Sequence, residues 1–233
     1  THRIYVEPFG GAGSVLLQKN RSYMDVYNDL DNELVNLFMV ARDRGDELVT
    51  ALELTPFSRF EFNLSYEKAD CPIERARRLV VRCFMGHGSN SHNRKTGFRR
   101  HSRLSGTSPC HDWKNYPAAL REIIERLQGV VIENRDAFDL IKDQDDKETL
   151  FYMDPPYVLS TRDPGTDYKH ELTDEDHFEF AELLHSLKGM VILSGYGCDL
   201  YDKKLFKGWY RSERIAMADG ARERVEVIWL NEA

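Results

Sequence analysis

The chain has 233 residues, 41% apolar and 30% charged, with a net charge of −7, a length that supports one substantial core and room for a small second lobe. No apolar run approaches the roughly 20 residues of a membrane span, and no signal-like start is visible, which excludes a membrane-embedded chain. Four cysteines, Cys71, Cys83, Cys110 and Cys198, stand without CxxC pairing, which excludes a disulfide framework and a zinc knuckle and makes a reducing cytoplasm the expected setting.

The first residue is Thr1 rather than Met, so the expectation is a natural N-terminus that has been removed or goes unrecorded. Ile4 to Glu7 reads as a strand, followed by Pro8, Phe9, Gly10, Gly11, Ala12, Gly13 and Ser14 and then by the apolar Val15, Leu16 and Leu17. That is strand, glycine loop, helix. Glycines permit a tight turn and close backbone approach, and a helix start offers free N–H groups. The spacing falls short of GxGxxG, so either a nucleotide-type ligand or a plain tight turn fits. The next strand, Tyr23 to Tyr27, ends in Asn28 and Asp29. An acid at that tip is placed to accept hydrogen bonds from a ribose diol, or else to cap the following helix. That helix carries Leu30, Leu34, Leu37, Phe38 and Ala41 on one stripe.

Residues 55–117 read as an insertion between the second and third strands. Pro72 opens a helix whose apolar positions Ile73, Ala76, Leu79, Val80, Cys83 and Phe84 form one face. Arg75, Arg78 and Arg82 fall opposite, as a solvated face. From Arg75 through His111 there are nine Arg or Lys and no Asp or Glu, whereas the rest of the chain is acidic. A polyanion would dock on this segment. Within it, Arg94, Lys95, Phe98, Arg99, Arg100 and Arg103 set cations around one aromatic in a glycine-punctuated stretch, as in a loop or hairpin that meets phosphates and base edges. His87, His92 and His101 lack an accompanying carboxylate or cysteine pair, so no metal is expected.

After Pro117 the helix–strand alternation resumes. Leu120 to Leu127 form a helix closed by Gly129, and Val130 to Glu133 form a strand followed by Asp136 and Phe138. That pair suits a purine's amino group and face, or a helix N-cap. Leu150-Phe-Tyr-Met is an apolar strand that stops at Asp154-Pro155-Pro156-Tyr157. Each proline fixes φ, removes a donor and pushes the preceding residue toward extended backbone. Outward carbonyls, the Asp154 carboxylate and the flat Tyr157 ring then stand together. Acceptors beside a stacking platform suit an exocyclic amino group on a planar ring; a proline corner under an aromatic lid is the bland alternative. Residues 159–170 read as a loop over a substrate, Thr173 caps a further helix, and Met190 to Tyr196 form another buried strand. Two strand-like runs turning at Asp219-Gly220 close the chain. These units imply an α/β fold with a mostly parallel sheet and a C-terminal antiparallel hairpin, built from 1–54 and 118–233 around the mainly helical insertion.

The glycine loop after strand one, the acid after strand two and the Asp-Pro-Pro-Tyr turn after strand four resemble, in combination, the Dam-like, D12-class adenine-specific DNA methyltransferases. The likeness runs from Tyr5-Val-Glu-Pro-Phe-Gly-Gly-Ala-Gly-Ser14 through Tyr27-Asn-Asp-Leu30 and the turn to Ser194-Gly195-Tyr196. The resemblance implies a Rossmann-like methyltransferase sheet, S-adenosylmethionine as cofactor and double-stranded DNA as partner, with no obligate protein partner. It implies that Glu7 to Ser14 embrace the methionine end of the cofactor, Asp29 the ribose, with Asn28 beside it in the cofactor site, and Asp136 with Phe138 the adenine. Arg94 to Arg100 match the place of the family's DNA-contacting hairpin, with Arg103 following as a further DNA-binding residue, and residues 55–117 match its target-recognition region. Asp154, Pro155, Pro156 and Tyr157 would act on a flipped adenine. The family's short opening motif of Gly, Lys and an aromatic, which helps cover the cofactor, is absent from this sequence.

Three rivals share part of this pattern. Cytosine-C5 transfer needs a nucleophilic cysteine, and Pro109-Cys110 lies far from the strand-four turn. N4-cytosine or RNA-base amino methylation uses similar turns. A non-catalytic DNA-binding relative fits the basic segment, but Gly10, Gly11, Gly13, Asp154 and Tyr157 are all intact.

Overall fold

The computed structural model describes residues 1–88, 94–100, 108–162, 169–218 and 222–232. The chain divides into two compact units, one of residues 1–30 and 129–233 and the other of residues 31–128.

The first unit is a seven-stranded sheet in the order β3-β2-β1-β4-β5-β7-β6. Its strands are β1 (Ile4–Glu7), β2 (Met24–Asn28), β3 (Val130–Glu133), β4 (Thr149–Met153), β5 (Met190–Tyr196), β6 (Tyr210–Ala218) and β7 (Arg222–Leu230). The first five are mutually parallel, and β7 runs antiparallel to both β5 and β6. This is a Rossmann-like sheet with a C-terminal antiparallel hairpin, as the alternating pattern predicts; the Asp219-Gly220 turn lies outside the described residues. Val6 lies between Val26 and Phe151 in register. On that face Val6, Val26, Phe151, Met153, Val191, Leu193, Val227 and Trp229 are buried. They pack with Leu140 and Ile141 of α7 (Ala137–Gln144) and with Phe180, Ala181 and Leu184 of α8 (Asp174–Ser186). Each fully buried Leu or Phe contributes roughly 1.5–3 kcal/mol relative to exposure. Asp136 caps α7, and Thr173 forms a reciprocal capping box with Asp176 at the start of α8, which satisfies N–H groups that a helix start leaves open.

Strand order reverses between β1 and β4. In open α/β sheets the crevice at such a reversal, beyond the carboxyl ends of the strands, is where ligands bind. The glycine loop leaves β1 and the Asp-Pro-Pro-Tyr turn leaves β4 at that point.

The second unit holds α2 (Asn32–Asp43), α3 (Gly45–Glu53), α4 (Arg59–Leu64), α5 (Pro72–Met85) and α6 (Pro109–Leu127). It is larger than the expected insertion at 55–117. The expected stripe of α2 is corrected: Leu30 precedes the helix and is exposed, and Val35 and Val40 are buried with Phe38 and Ala41. Helix α2 packs on α5, and α3 packs on α5 and α6, so the helices on either side of the insertion join it. Pro117 does not mark a boundary: it lies buried inside α6, which begins eight residues earlier. An interior proline costs about 3 kcal/mol in a helix. Here Trp113 stacks on Tyr116 at 6.1 Å, both rings meet Phe84, and the Trp113 indole donates to the Thr55 carbonyl at 2.8 Å.

Helix α5 also departs from its expected faces. Cys83 is exposed, whereas Val81 and Met85 are buried with Ala76, Leu79 and Val80, because the helix meets both α2 and α3 and buries a wider arc. Its arginines are not a solvated face. Arg75 pairs with Glu33, Arg78 with Glu74, and Arg82 donates to the Ser65 carbonyl. Arg77, 8% exposed, bonds Glu74 and Glu61 at 2.7 Å each and Thr55 Oγ1 at 3.0 Å. Hydrogen bonds from Arg77 first, and also from Arg78, pull the Glu74 carboxyl down to about 2.

Candidate active site

The glycine loop is built around Tyr27. This ring is fully buried, and its hydroxyl donates to the Gly11 carbonyl at 2.7 Å. Gly10 N donates to the Asn28 carbonyl at 2.7 Å, and a Cβ on Gly10 would lie 2.2 Å from the Tyr27 ring. Gly11 (φ 48°) and Gly13 (φ 64°) occupy left-handed conformations that other residues resist. Gly11 N donates to Asp29 Oδ2 at 2.8 Å, so the acid after β2 braces the loop. Gly13 begins the short helix α1 (Ser14–Gln18), and Ala12 and Ser14 are exposed at the bend.

Asn28 is buried and its amide is committed. It donates to the carbonyls of Pro8 (2.8 Å) and Arg135 (3.0 Å) and accepts from Arg135 N at 3.0 Å. It ties the β1 and β3 exits together and positions the loops around it. Asp136 Oδ1 accepts from the N–H groups of Phe138 and Asp139, the N-cap alternative of the sequence reading. Phe138 stacks on Phe180 at 5.6 Å, and Phe9 meets the same ring edge-on at 5.6 Å. The β1 exit and the β3 exit therefore share one aromatic anchor on α8.

Glu7 ends β1 and is 2% exposed. Its Oε1 accepts from Tyr5 Oη and from Leu16 N, each at 2.6 Å. Burial raises its pKa to about 7, with the two hydrogen bonds opposing and the Asp154 charge adding to the rise. A carboxyl whose pKa rises on folding favours the folded state while protonated and loses that contribution as pH rises from 4.5 to about 7. Glu7→Gln keeps the acceptor for Tyr5 and Leu16 and removes the titration. Its stability relative to the native chain is therefore expected to grow between pH 4.5 and 7, by on the order of 3 kcal/mol, and then stay level. Urea unfolding at pH 5 and pH 8 measures it; equal differences at the two values refute the assignment.

At the end of β4, Pro155 and Pro156 are buried, Tyr157 is half-buried and Asp154 is exposed. Asp154 nonetheless sits in a concavity whose desolvation raises its pKa; hydrogen bonds from Tyr157 and Ser194 oppose that, and the Glu226 charge adds to it. Ser194 Oγ and Tyr157 Oη are 3.3 Å apart. The Tyr157 ring meets Tyr196 edge-on at 4.8 Å. Asp154 and Tyr157 thus converge with Ser194 and Tyr196 of β5, two residues that the sequence places in the family likeness but to which it gives no role in the site. A serine and an aromatic at the carboxyl end of the neighbouring parallel strand were the available signal.

Of the basic segment, residues 94–100 are described and Arg103 lies outside the described residues. Arg94, Lys95 and Arg100 are exposed, and Arg99 is half-buried. Phe98 turns inward, 5.3 Å from Phe57 and 5.6 Å from Phe62, with the Arg59 guanidinium 5.0 Å over its ring. A bridge between Gly86 and Phe98, with Arg99 N donating to the Met85 carbonyl at 2.7 Å, closes the base of the segment.

A glycine loop and an Asp-Pro-Pro-Tyr turn side by side at the reversal of a Rossmann-like sheet define a methyltransferase. A family model described as D12 class N6 adenine-specific DNA methyltransferase matches residues 1–223, and the chain belongs to that family. Among curated relatives, it is 25% identical over 239 residues to the type II methyltransferase M.MjaIII of Methanocaldococcus jannaschii, covering 91% of this chain and 80% of that protein. It is 28% identical over 224 residues to the DNA adenine methylase of Salmonella typhimurium, covering 90% of this chain and 76% of that protein. The DNA adenine methylase of Escherichia coli is 26% identical over 226 residues, with the same coverage. The family's reaction is methylation of adenine N6 in DNA.

Proposed function

We propose that this chain moves the methyl group of S-adenosylmethionine to the N6 amino group of an adenine flipped out of duplex DNA, using Asp154 and the Asp-Pro-Pro-Tyr backbone as acceptors. The observation that carries the reading is the convergence of Asp154, Tyr157 and Ser194 at the β4–β5 exits, beside the Gly10–Gly13 loop.

The residues present fit the cofactor. A Cβ on Gly11 would meet nothing within 4 Å, which leaves open space against the loop. Carboxylates at Glu7, Asp29 and Asp136 suit a cationic amino acid with a ribose, and Phe138 suits an adenine face. Bound S-adenosylmethionine supplies an electrophilic methyl on a sulfonium.

The chain's own part is positioning. A base stacked in a duplex must leave it, at a cost of a few kcal/mol. Stacking on Tyr157 offsets roughly 1–3 kcal/mol of that. The amine lone pair is delocalised into the ring, and hydrogen bonds to Asp154 and the Pro155 carbonyl favour a pyramidal nitrogen with the pair released for attack. Arg94, Lys95, Arg99 and Arg100 hold phosphates of the duplex, and Phe98 anchors the segment that carries them. Residues 55–117 of the helical unit are the recognition region.

Methyl transfer into unmethylated DNA, followed by digestion to nucleosides, tests the reading: N6-methyladenine is expected, and N4-methylcytosine or label in RNA alone overturns it. Ser194→Ala gives a second, narrower test. It removes a hydrogen bond that holds the Asp154 proton affinity down, so the acid limb of the pH–rate profile is expected to move to higher pH. The rate on that limb falls roughly tenfold, since a hydrogen bond to a charged group contributes about 1.5–3 kcal/mol. An unmoved acid limb refutes the coupling.

A further inference from the structure

Beyond Tyr196 the sheet opens into a cleft of about 480 Å³ that the mechanism leaves unused. We propose that it is the subsite for the nucleotide immediately flanking the flipped adenine on the same strand, with the phosphate on Arg224 and the base or sugar against the Tyr196 ring. This inference rests on the adenine-methylation reading and extends it from the reacting base to its neighbour.

Both walls of the cleft are continuous with the catalytic turn. Ser160 and Thr161 follow Tyr157 by three and four residues, and Tyr196 and Gly197 follow Ser194. Tyr196 presents its edge-on contact to Tyr157 at 4.8 Å, while the Arg224 guanidinium stands 5.6 Å from its ring centroid. Arg224 also donates to the Thr161 carbonyl at 3.3 Å, which spans the cleft from β7 to the turn. Of the acids around it, Asp202 accepts from Arg211 at 2.9 Å and Asp199 from Lys203 at 2.9 Å, and Glu226 of β7 pairs in register with Tyr196. An anion entering the cleft meets the Arg224 guanidinium, already engaged by the Thr161 carbonyl, and the Ser160 side chain. The volume lies within the roughly 300–1,000 Å³ of small-ligand clefts. A ring that borders the Tyr157 platform and carries a guanidinium suits a unit with a π-face and a phosphate, and Arg is the side chain that binds phosphate through a planar fork.

The test uses duplexes carrying the methylated site, once sequencing of the product has located it. In one series a single neutral methylphosphonate replaces the phosphate on the 5′ or 3′ side of the target adenine. The native enzyme is expected to lose roughly tenfold in kcat/KM at one of these positions, while Arg224→Ala, already reduced about tenfold, loses nothing further there. The variant's DNA affinity should also show a salt slope reduced by about one, with cofactor affinity unchanged. Additive losses, an unchanged salt slope, or a native enzyme indifferent to both methylphosphonates overturns the subsite while the methylation reading stands. A native enzyme that binds cofactor yet methylates no DNA overturns both. The methylphosphonate series on the native enzyme decides the matter even if Arg224→Ala fails to fold.

Discussion

Asp154→Ala is expected to reduce methyl transfer by on the order of 10³-fold, because in the proposed mechanism it removes a charged acceptor aimed at the amino group in the transition state. Cofactor affinity, measured by calorimetry, should stay within about threefold, since the turn belongs to β4 and the glycine loop to β1. Asp154→Asn keeps a carbonyl acceptor without the charge and should fall between the two. The same substitutions should raise the melting temperature at neutral pH. Desolvation raises the Asp154 pKa, so its charged form costs some folding energy above that pKa; because the side chain is exposed, solvent screens the effect and the gain is small. Lower stability with retained turnover would sink both the catalytic and the electrostatic assignment.

Gly10→Ala carries the second large effect. Its Cβ would meet Tyr27 at 2.2, 2.6 and 2.7 Å. The ring cannot withdraw, because it is fully buried and bonded to the Gly11 carbonyl, and the backbone is held by the bond from Gly10 N to Asn28. Overpacking of this kind costs about 1–3 kcal/mol. The displaced loop should lower cofactor affinity about 100-fold, the penalty that a misplacement near 1 Å brings. Gly11→Ala provides the contrast: φ is 48° and a Cβ there meets nothing within 4 Å, so strain is limited to about 1–2 kcal/mol. Cofactor affinity should fall while the fold persists. Denaturant unfolding with parallel calorimetry separates the two; Gly10→Ala that unfolds and binds like the native chain refutes the packing account.

The strands were legible because buried parallel strands read as apolar runs closed by Gly, Asp and Pro, and each such run from Ile4 to Tyr196 is a strand at the expected place. Asp154 and Tyr157 were legible for a similar reason, since the two prolines make their turn locally determined. What one segment does to another was not. Pro117 reads as a break, yet it lies buried inside α6, a helix that Trp113 and Tyr116 anchor on Phe84 of α5. Arg75 and Arg78 read as a solvated face, and their pairing with Glu33, 42 residues away, and with Glu74 depends on how the helices pack. Asn28 reads as ligand or cap, and its use as a brace depends on Arg135, 107 residues further on. Ser194 gains its role only from the register that sets β5 beside β4.

The clasp at the base of the basic segment has a consequence for how such a protein changes its target. Gly86 and Phe98 close the stretch between them, and Phe57 and Phe62 hold Phe98 in place. Loop closure grows costlier only slowly with length, so residues between the two clasp points can be exchanged or lengthened with little effect on folding. On the proposed reading, in which this segment contacts DNA, specificity is expected to diverge ahead of the methyl-transferring sheet.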